Sequence, residues 1–198
     1  MIDVHSHIIP NVDDGARSVE ETFNILKEAK AVGFTDVILT SHFLLNYYET
    51  DAQELIFWKD KLQEVLDQRG PNIKLHSGME IYISNQMEEL MQKNKLLTLA
   101  NSRYMLIELP IASNVQYLDY VIYYLEAKGI KTIIAHPERY KCVQKDPSIV
   151  EEYIEKGCLM QCNYGSIVNL YGNEAEKTIK TLLKNCLLYT SPSPRDCS

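Results

Sequence analysis

The strongest constraint on this chain is a recurring form. Six short apolar runs, Ile2–His5, Asp36–Thr40, Ile73–Ile83, Tyr104–Leu109, Thr132–His136 and Leu159–Asn163, are rich in β-branched residues and alternate with segments of helical periodicity. Runs this short, apolar at successive positions, read as strands covered on both faces. The first helical segment opens at Ser18 with Glu20 and Glu21 in its first turn, carries Val19, Phe23 and Leu26 on one face, and stops before Gly33. Leu55, Trp58, Leu62 and Val65 mark a second face; Val115, Leu118, Ile122 and Leu125 a third, ended by Gly129; Ile149, Tyr153 and Ile154 a fourth, ended by Gly157; Ala175, Ile179 and Leu182 begin a fifth. Strand–helix alternation without a hairpin signal predicts an α/β fold with a parallel sheet. Such a series either rolls into a barrel smaller than the eight-stranded type or stays open and doubly wound. Both architectures put functional residues beyond the carboxyl ends of the strands.

Composition narrows the function. The chain has 198 residues, 45% apolar and 24% charged, the usage of one ordinary globular domain. A formal charge of −7 without a Lys/Arg run speaks against sequence-independent nucleic-acid binding and against adhesion to anionic membranes. No apolar stretch reaches the roughly 18 residues a membrane span needs, and Met1-Ile2-Asp3-Val4-His5 lacks the basic and apolar regions of a signal peptide, so a cytoplasmic location is expected. Five cysteines, Cys142, Cys158, Cys162, Cys186 and Cys197, show no disulfide framework and read as reduced thiols. None is followed six positions later by Arg, and no glycine-rich phosphate loop is present.

The chemistry gathers at the strand ends. His5 and His7 close the first run, His42 follows the second, Glu80 lies in the third, Glu108 ends the fourth and His136 ends the fifth. Two imidazoles two positions apart lie on one side of an extended segment and can reach a shared ion. Asp13-Asp14-Gly15 offers a further carboxylate in the loop after the first strand. Each residue alone has a duller reading, a packed histidine or a solvated turn, but the repeated placement predicts a site for two or three divalent ions, with a carboxylate such as Glu80 bridging. Nitrogen and oxygen donors without thiolate suit Mn, Fe or Zn in a reactive site and not a structural zinc. His76, four residues before Glu80, reads as structural, and Cys158 and Cys162 as inert buried thiols. Arg139, in His136-Pro137-Glu138-Arg139-Tyr140, is placed for a phosphate oxygen; a surface ion pair with Glu138 is its duller reading.

Taken together, Met1-Ile2-Asp3-Val4-His5-Ser6-His7, Val12-Asp13-Asp14-Gly15, Thr40-Ser41-His42, Gly78-Met79-Glu80-Ile81-Tyr82, Ser102-Arg103-Tyr104 with Glu108, and Ile134-Ala135-His136-Pro137-Glu138-Arg139-Tyr140 resemble the PHP superfamily. Within it they resemble the metal-dependent protein-tyrosine phosphatases of bacterial capsule and exopolysaccharide operons. The resemblance implies a PHP-type distorted (β/α)7-like barrel with Mn-type ions at its carboxyl rim. It implies metal ligands at His5, His7, Asp14, His42, Glu80, Glu108 and His136, and a phosphate-holding Arg139. It further implies hydrolysis of phosphotyrosine by water activated at the ions, without a phosphocysteine, on the Tyr-rich tail of a kinase that regulates polysaccharide export, and recruitment to that kinase at the membrane. An alternative within enzymes is a PHP phosphoesterase acting on a small ester such as histidinol phosphate.

Two departures stand out. Phe43 follows His42 where many relatives carry a second His, and the closing strand with an Asp-x-His pair, together with a later phosphate-binding Arg, does not follow the last helical segment. Cys186 to Asp196 reads CLLYTSPSPRD, which resembles one translated frame of a transposon-end adapter used in sequencing libraries. The expectation is therefore a domain at 1–185, incomplete at its C-terminus, with 186–198 as a tail outside it. In that form the chain could instead be a catalytically incomplete fragment that binds metal or kinase.

Overall fold

The computed structural model describes residues 1–113, 115–185 and the backbone of Tyr189–Ser191. Strand and helix alternate from the first residues onward: β1 (Ile2–Ser6), α1 (Val19–Ala31), β2 (Asp36–Leu39), β3 (His42–Phe43), α2 (Ala52–Arg69), β4 (Lys74–Ser77), β5 (Glu80–Tyr82) and α3 (Met87–Gln92). The second half continues with β6 (Tyr104–Glu108), α4 (Leu118–Ala127), β7 (Lys131–Ala135), α5 (Lys141–Lys145), α6 (Ile149–Glu155), β8 (Leu159–Asn163), α7 (Tyr164–Ile167), α8 (Asn173–Lys184) and β9 (Tyr189–Ser191). The cap acts as expected at α1, where the Ser18 hydroxyl accepts the Glu21 amide at 3.1 Å, but the inward face is Thr22, Leu26 and Ala29, with Val19 exposed and Phe23 half-buried beside the core.

All ladders between strands are parallel. β1-β2-β4 form one sheet and β3-β5-β6-β7-β8-β9 the other, and among the described residues no continuous ladder closes the two on one another. Tyr189–Ser191 pairs with Gln161–Asn163 at the edge of the larger sheet; the remaining residues of the 186–198 tail lie outside the described residues.

The two faces of the strands carry different cores. Along β6, Met105 and Ile107 belong to the large cluster packed under the helices, whereas Tyr104 and Leu106 belong to a small one with Ile38, Leu99, Ile133 and Ala135. Glu108, two residues beyond Leu106, extends the face of the small cluster. That face carries the polar residues of interest.

The third apolar run is one continuous stretch in the sequence but two strands in the fold. β4 pairs with β2 in the first sheet, β5 pairs with β3 in the second, and the chain passes from one to the other at Gly78-Met79. A Cβ at Gly78 would lie 2.6 Å from Ile38 Cγ2, 3.1 Å from Leu99 Cδ2 and 3.3 Å from Thr40 Cγ2, so the crossing needs a residue without a side chain. Asp36–Phe43 crosses in step, and the Glu80 amide donates to the Ser41 carbonyl at 3.2 Å across the junction. Gly78→Ala forces a methyl against β-branched Ile38. It should cost about 1–3 kcal/mol of stability by overpacking, read as a lowered denaturant midpoint at unchanged slope.

Candidate metal centre

The junction and the neighbouring strand ends bring the expected donors together. His42 and Glu80 are register partners across β3 and β5, and Tyr82 is the partner of Glu108 across β5 and β6. These side chains therefore share a face. Glu80 is almost wholly buried, and its Oε2 lies 3.1 Å from His5 Nε2, 3.0 Å from His7 Nε2 and 3.2 Å from His42 Nδ1. Its Oε1 lies 2.9 Å from His136 Nε2. Glu108 stands beside this group, 3.5 Å from His42 Nδ1 and 3.6 Å from His136 Nε2. Asp14 is the outermost member, exposed at the rim with its Oδ1 3.7 Å from His42 Nε2.

Two of the imidazoles reach the cluster by breaking strict alternation. In β1 the register slips between Asp3 and Ser6, so Val4 packs on the small apolar cluster while His5 meets Glu80 and Gln161. His136 follows β7 in the left-handed conformation, φ 32° and ψ 56°, which turns its ring back toward Glu80. Tyr140 holds that turn. Its fully buried hydroxyl accepts the Leu109 amide at 2.9 Å and donates to the Ala135 carbonyl at 2.6 Å, bridging the residues next to Glu108 and His136. Glu138, also fully buried, is bound through Oε1 by the Asn163 amide at 3.1 Å and the Ser166 hydroxyl at 2.6 Å.

Other residues orient the rings. Asp13 Oδ2 lies 2.8 Å from His7 Nδ1 and accepts the His42 amide at 2.9 Å, while Oδ1 accepts the Gly15 amide at 2.9 Å. A Cβ at Gly15 would come within 2.1 Å of the His7 carbonyl oxygen, so this loop can close over His7 only with glycine. Gln161 Oε1 is 2.7 Å from His5 Nδ1. Partners on the far nitrogen fix which nitrogen faces inward. Sequence position alone does not mark Gln161, Tyr140 or Glu138 for these roles. A polar residue inside Leu159–Asn163 and an acid inside a buried turn were the available signals.

Protonation follows this crowding. Burial favours the neutral form of His7, but Asp13 and Glu80 outweigh it and lift the group to about 10. His5 is likewise raised, because Glu80 overcomes the cost of burial. Burial lowers His42, to about 4, and His136. Burial would raise Glu80, yet His5, His136 and His7 hold it well below the usual carboxylate range. Glu108 is pushed up to about 7 by burial and by the like charge of Glu80.

Three overlapping triads, His5–His7–Glu80, His7–Asp14–His42 and His42–Glu80–Glu108, each keep one donor atom per residue within 4.8 Å. Such close carboxylate and imidazole groups suit hard or borderline divalent cations, whose charge would offset that of buried acids. The six residues of these triads, together with His136, which belongs to none of them, line a cleft of about 320 Å³ with Leu44, Tyr48, Tyr82, Arg139, Asn163 and Tyr171. Arg139 therefore faces the same space and makes no ion pair with Glu138, whose Oε1 is bound by Asn163 and Ser166 and whose buried Oε2 has no hydrogen-bond partner among the described residues. His76 sits elsewhere, in β4, 2.8 Å from Asp36, and burial pushes the Cys158 thiol up to about 12 and raises Cys162.

Fold and site together define a class: a parallel α/β protein whose strand ends gather imidazole and carboxylate groups with the spacing of a divalent-cation site. More narrowly, the chain belongs to the capsular polysaccharide synthesis family CpsB/CapC, whose model matches residues 1–191. It is 32% identical over 177 residues to CapC of Staphylococcus aureus, a match covering 89% of this chain and 69% of that one. It is 30% identical over 189 residues to the tyrosine-protein phosphatase YwqE of Bacillus subtilis, covering 96% and 74%. Crystal structures of YwqE from Bacillus subtilis and CpsB from Streptococcus pneumoniae, described as unique metal-dependent tyrosine phosphatases, include a chain that superimposes with a TM-score of 0.91 at 29% identity. That match covers 96% of this chain and 78% of the other.

Tyr140→Phe keeps the buried ring but strands the Leu109 amide and the Ala135 carbonyl. It should destabilise the fold by about 1–3 kcal/mol in chemical denaturation. An unchanged midpoint would show that the hydroxyl does not hold the β6 and β7 ends.

Proposed function

We propose that this chain is a metal-dependent protein-tyrosine phosphatase. The observation that carries the reading is one buried carboxylate, Glu80, facing four imidazoles within 3.2 Å beside an arginine that lines the same cleft. Membership of a family with relatives named as tyrosine-protein phosphatases supports it. His5, His7, Asp14, His42, Glu80, Glu108 and His136 would hold the ions. The triads share His7, His42 and Glu80, which supports a site that would hold two or three ions rather than one. Mn is the first choice, and Fe or Zn the alternatives.

When bound, such ions make water acidic enough to be a nucleophile near neutral pH and draw charge from phosphoryl oxygens. The chain's own residues supply the rest. Asp13 and Gln161 hold His7 and His5 with Nε2 directed inward. Arg139 presents a planar fork suited to two phosphoryl oxygens. A tyrosyl leaving group, with an unperturbed pKa near 10, departs with less acid assistance than a seryl alkoxide, which matches a cleft whose acids are committed to imidazoles.

On this reading β2–β3 and β4–β5 are single bent staves. With β1, β6, β7 and β8 they approximate a distorted (β/α)7-like barrel around the small apolar cluster, lacking its last strand. The catalytic domain is assigned to 1–185, with 186–198 outside it. Among the described residues no helix is long and apolar enough to cross a membrane. We assign the protein to the cytoplasm, acting on phosphotyrosine of a kinase that regulates capsule synthesis.

Turnover of a phosphotyrosyl peptide well above that of histidinol phosphate tests the substrate class, and the reverse ranking would assign the site to small esters. His136→Ala should reduce Mn-dependent turnover by at least about a thousandfold while leaving the circular dichroism spectrum intact; retained activity would remove His136 from the ligand set. Ligation needs neutral imidazole, and His7 and His5 are held protonated above their ordinary range. Adding Mn to chelator-stripped protein at pH 7 should therefore release protons, and affinity should rise with pH. Calorimetry in buffers of different ionisation enthalpy measures the release, and its absence would contradict the ligand roles of His5 and His7.

A further inference from the structure

The Arg139 guanidinium carbon lies 4.6 Å from the centroid of the Tyr171 ring, and both side chains line the cleft that holds Glu108 and His136. Among the described residues Arg139 makes no ion pair or side-chain hydrogen bond, and its neighbour Glu138 is buried with Oε1 taken by the Asn163 amide and the Ser166 hydroxyl. Its donors are thus unspent, and the contact that orients it is an aromatic face.

The two segments that bring these residues together are also tied to each other. Ser166, in α7, donates to Glu138, so the backbone leading to Tyr171 is bound to the turn that carries Arg139. The Leu170 amide returns to the Gly165 carbonyl at 2.9 Å, and left-handed Asn169, φ 65°, and Gly172, φ 90°, turn the chain on either side of Tyr171, which lines the cleft. The bond ties the segment to the turn at Glu138, and the ring meets the Arg139 guanidinium.

Building on the phosphatase reading, we infer that Tyr171 is a positioning residue that acts through Arg139. Its ring holds the guanidinium plane with the N–H fork toward the phosphoryl group. An arginine side chain has several rotatable bonds, and stacking before substrate arrives removes part of the ordering otherwise required on binding.

The test uses the Mn-loaded full chain with Tyr171→Leu, Tyr171→Phe, Arg139→Ala and the Arg139→Ala/Tyr171→Leu double variant. Calorimetric binding of inorganic phosphate, metal content, and kcat and KM on p-nitrophenyl phosphate are measured for each. Tyr171→Leu should weaken phosphate binding about 3- to 30-fold without changing metal content. Tyr171→Phe, which keeps the ring, should restore binding to within about twofold. In the Arg139→Ala background the leucine substitution should have no further effect. Unchanged phosphate binding in Tyr171→Leu, or its full effect persisting without Arg139, would overturn the inference. Tyr171-dependent phosphate binding without turnover of the aryl ester would overturn the phosphatase reading and leave the positioning role standing. Wild-type protein that binds no phosphate would overturn both.

Discussion

Everything at this site depends on one crowded carboxylate. Glu80 is buried, and a buried acid is tolerated only where opposite charge or donors meet it. Here the partners come from β1 and the residue after it, from β3, and from the turn after β7. Three separate segments must stand in one register for that to happen. A one-residue slip of β5 against β3 would place Glu80 on the helix-covered face, among Phe43, Ile81 and Ile107, where nothing could answer its charge. The electrostatic demand of one side chain thus fixes the alignment of the sheet.

The scaffold meets that demand through local irregularity. Regular strands would send His5 and His136 to the wrong face; the slipped register in β1 and the left-handed residue after β7 bring them back. Such conformations persist only where the surroundings over-determine them. Around His136 that work falls to Tyr140 and Glu138, both fully buried and both bonded across elements. The turn is rigid where the chemistry needs it, and polar groups that look like core defects in the sequence are its fastenings.

This division explains what could be read from the residues alone. The strand runs, the Ser18 cap, the parallel α/β class and the gathering of His5, His7, His42, Glu80, Glu108 and His136 at one rim all follow from local period and position, and the fold contains them. The break of Ile73–Ile83 into two strands was not visible, because it depends on what lies against Gly78 across the sheet. Gln161 on His5, Asp13 on His7 and Tyr171 on Arg139 were invisible as pairings for the same reason. Each joins side chains at least six positions apart in the chain, and sequence periodicity carries no information about such meetings.

The cysteines carry a consequence of their own. Cys142, Cys158 and Cys162 are free, and none lines the cleft. Cys158 and Cys162 are buried with their thiols held protonated, and peroxide and alkylating agents attack the thiolate. The cleft thus offers such reagents no thiolate among its described lining residues, and its imidazole and carboxylate donors leave it open instead to whatever competes for divalent cations.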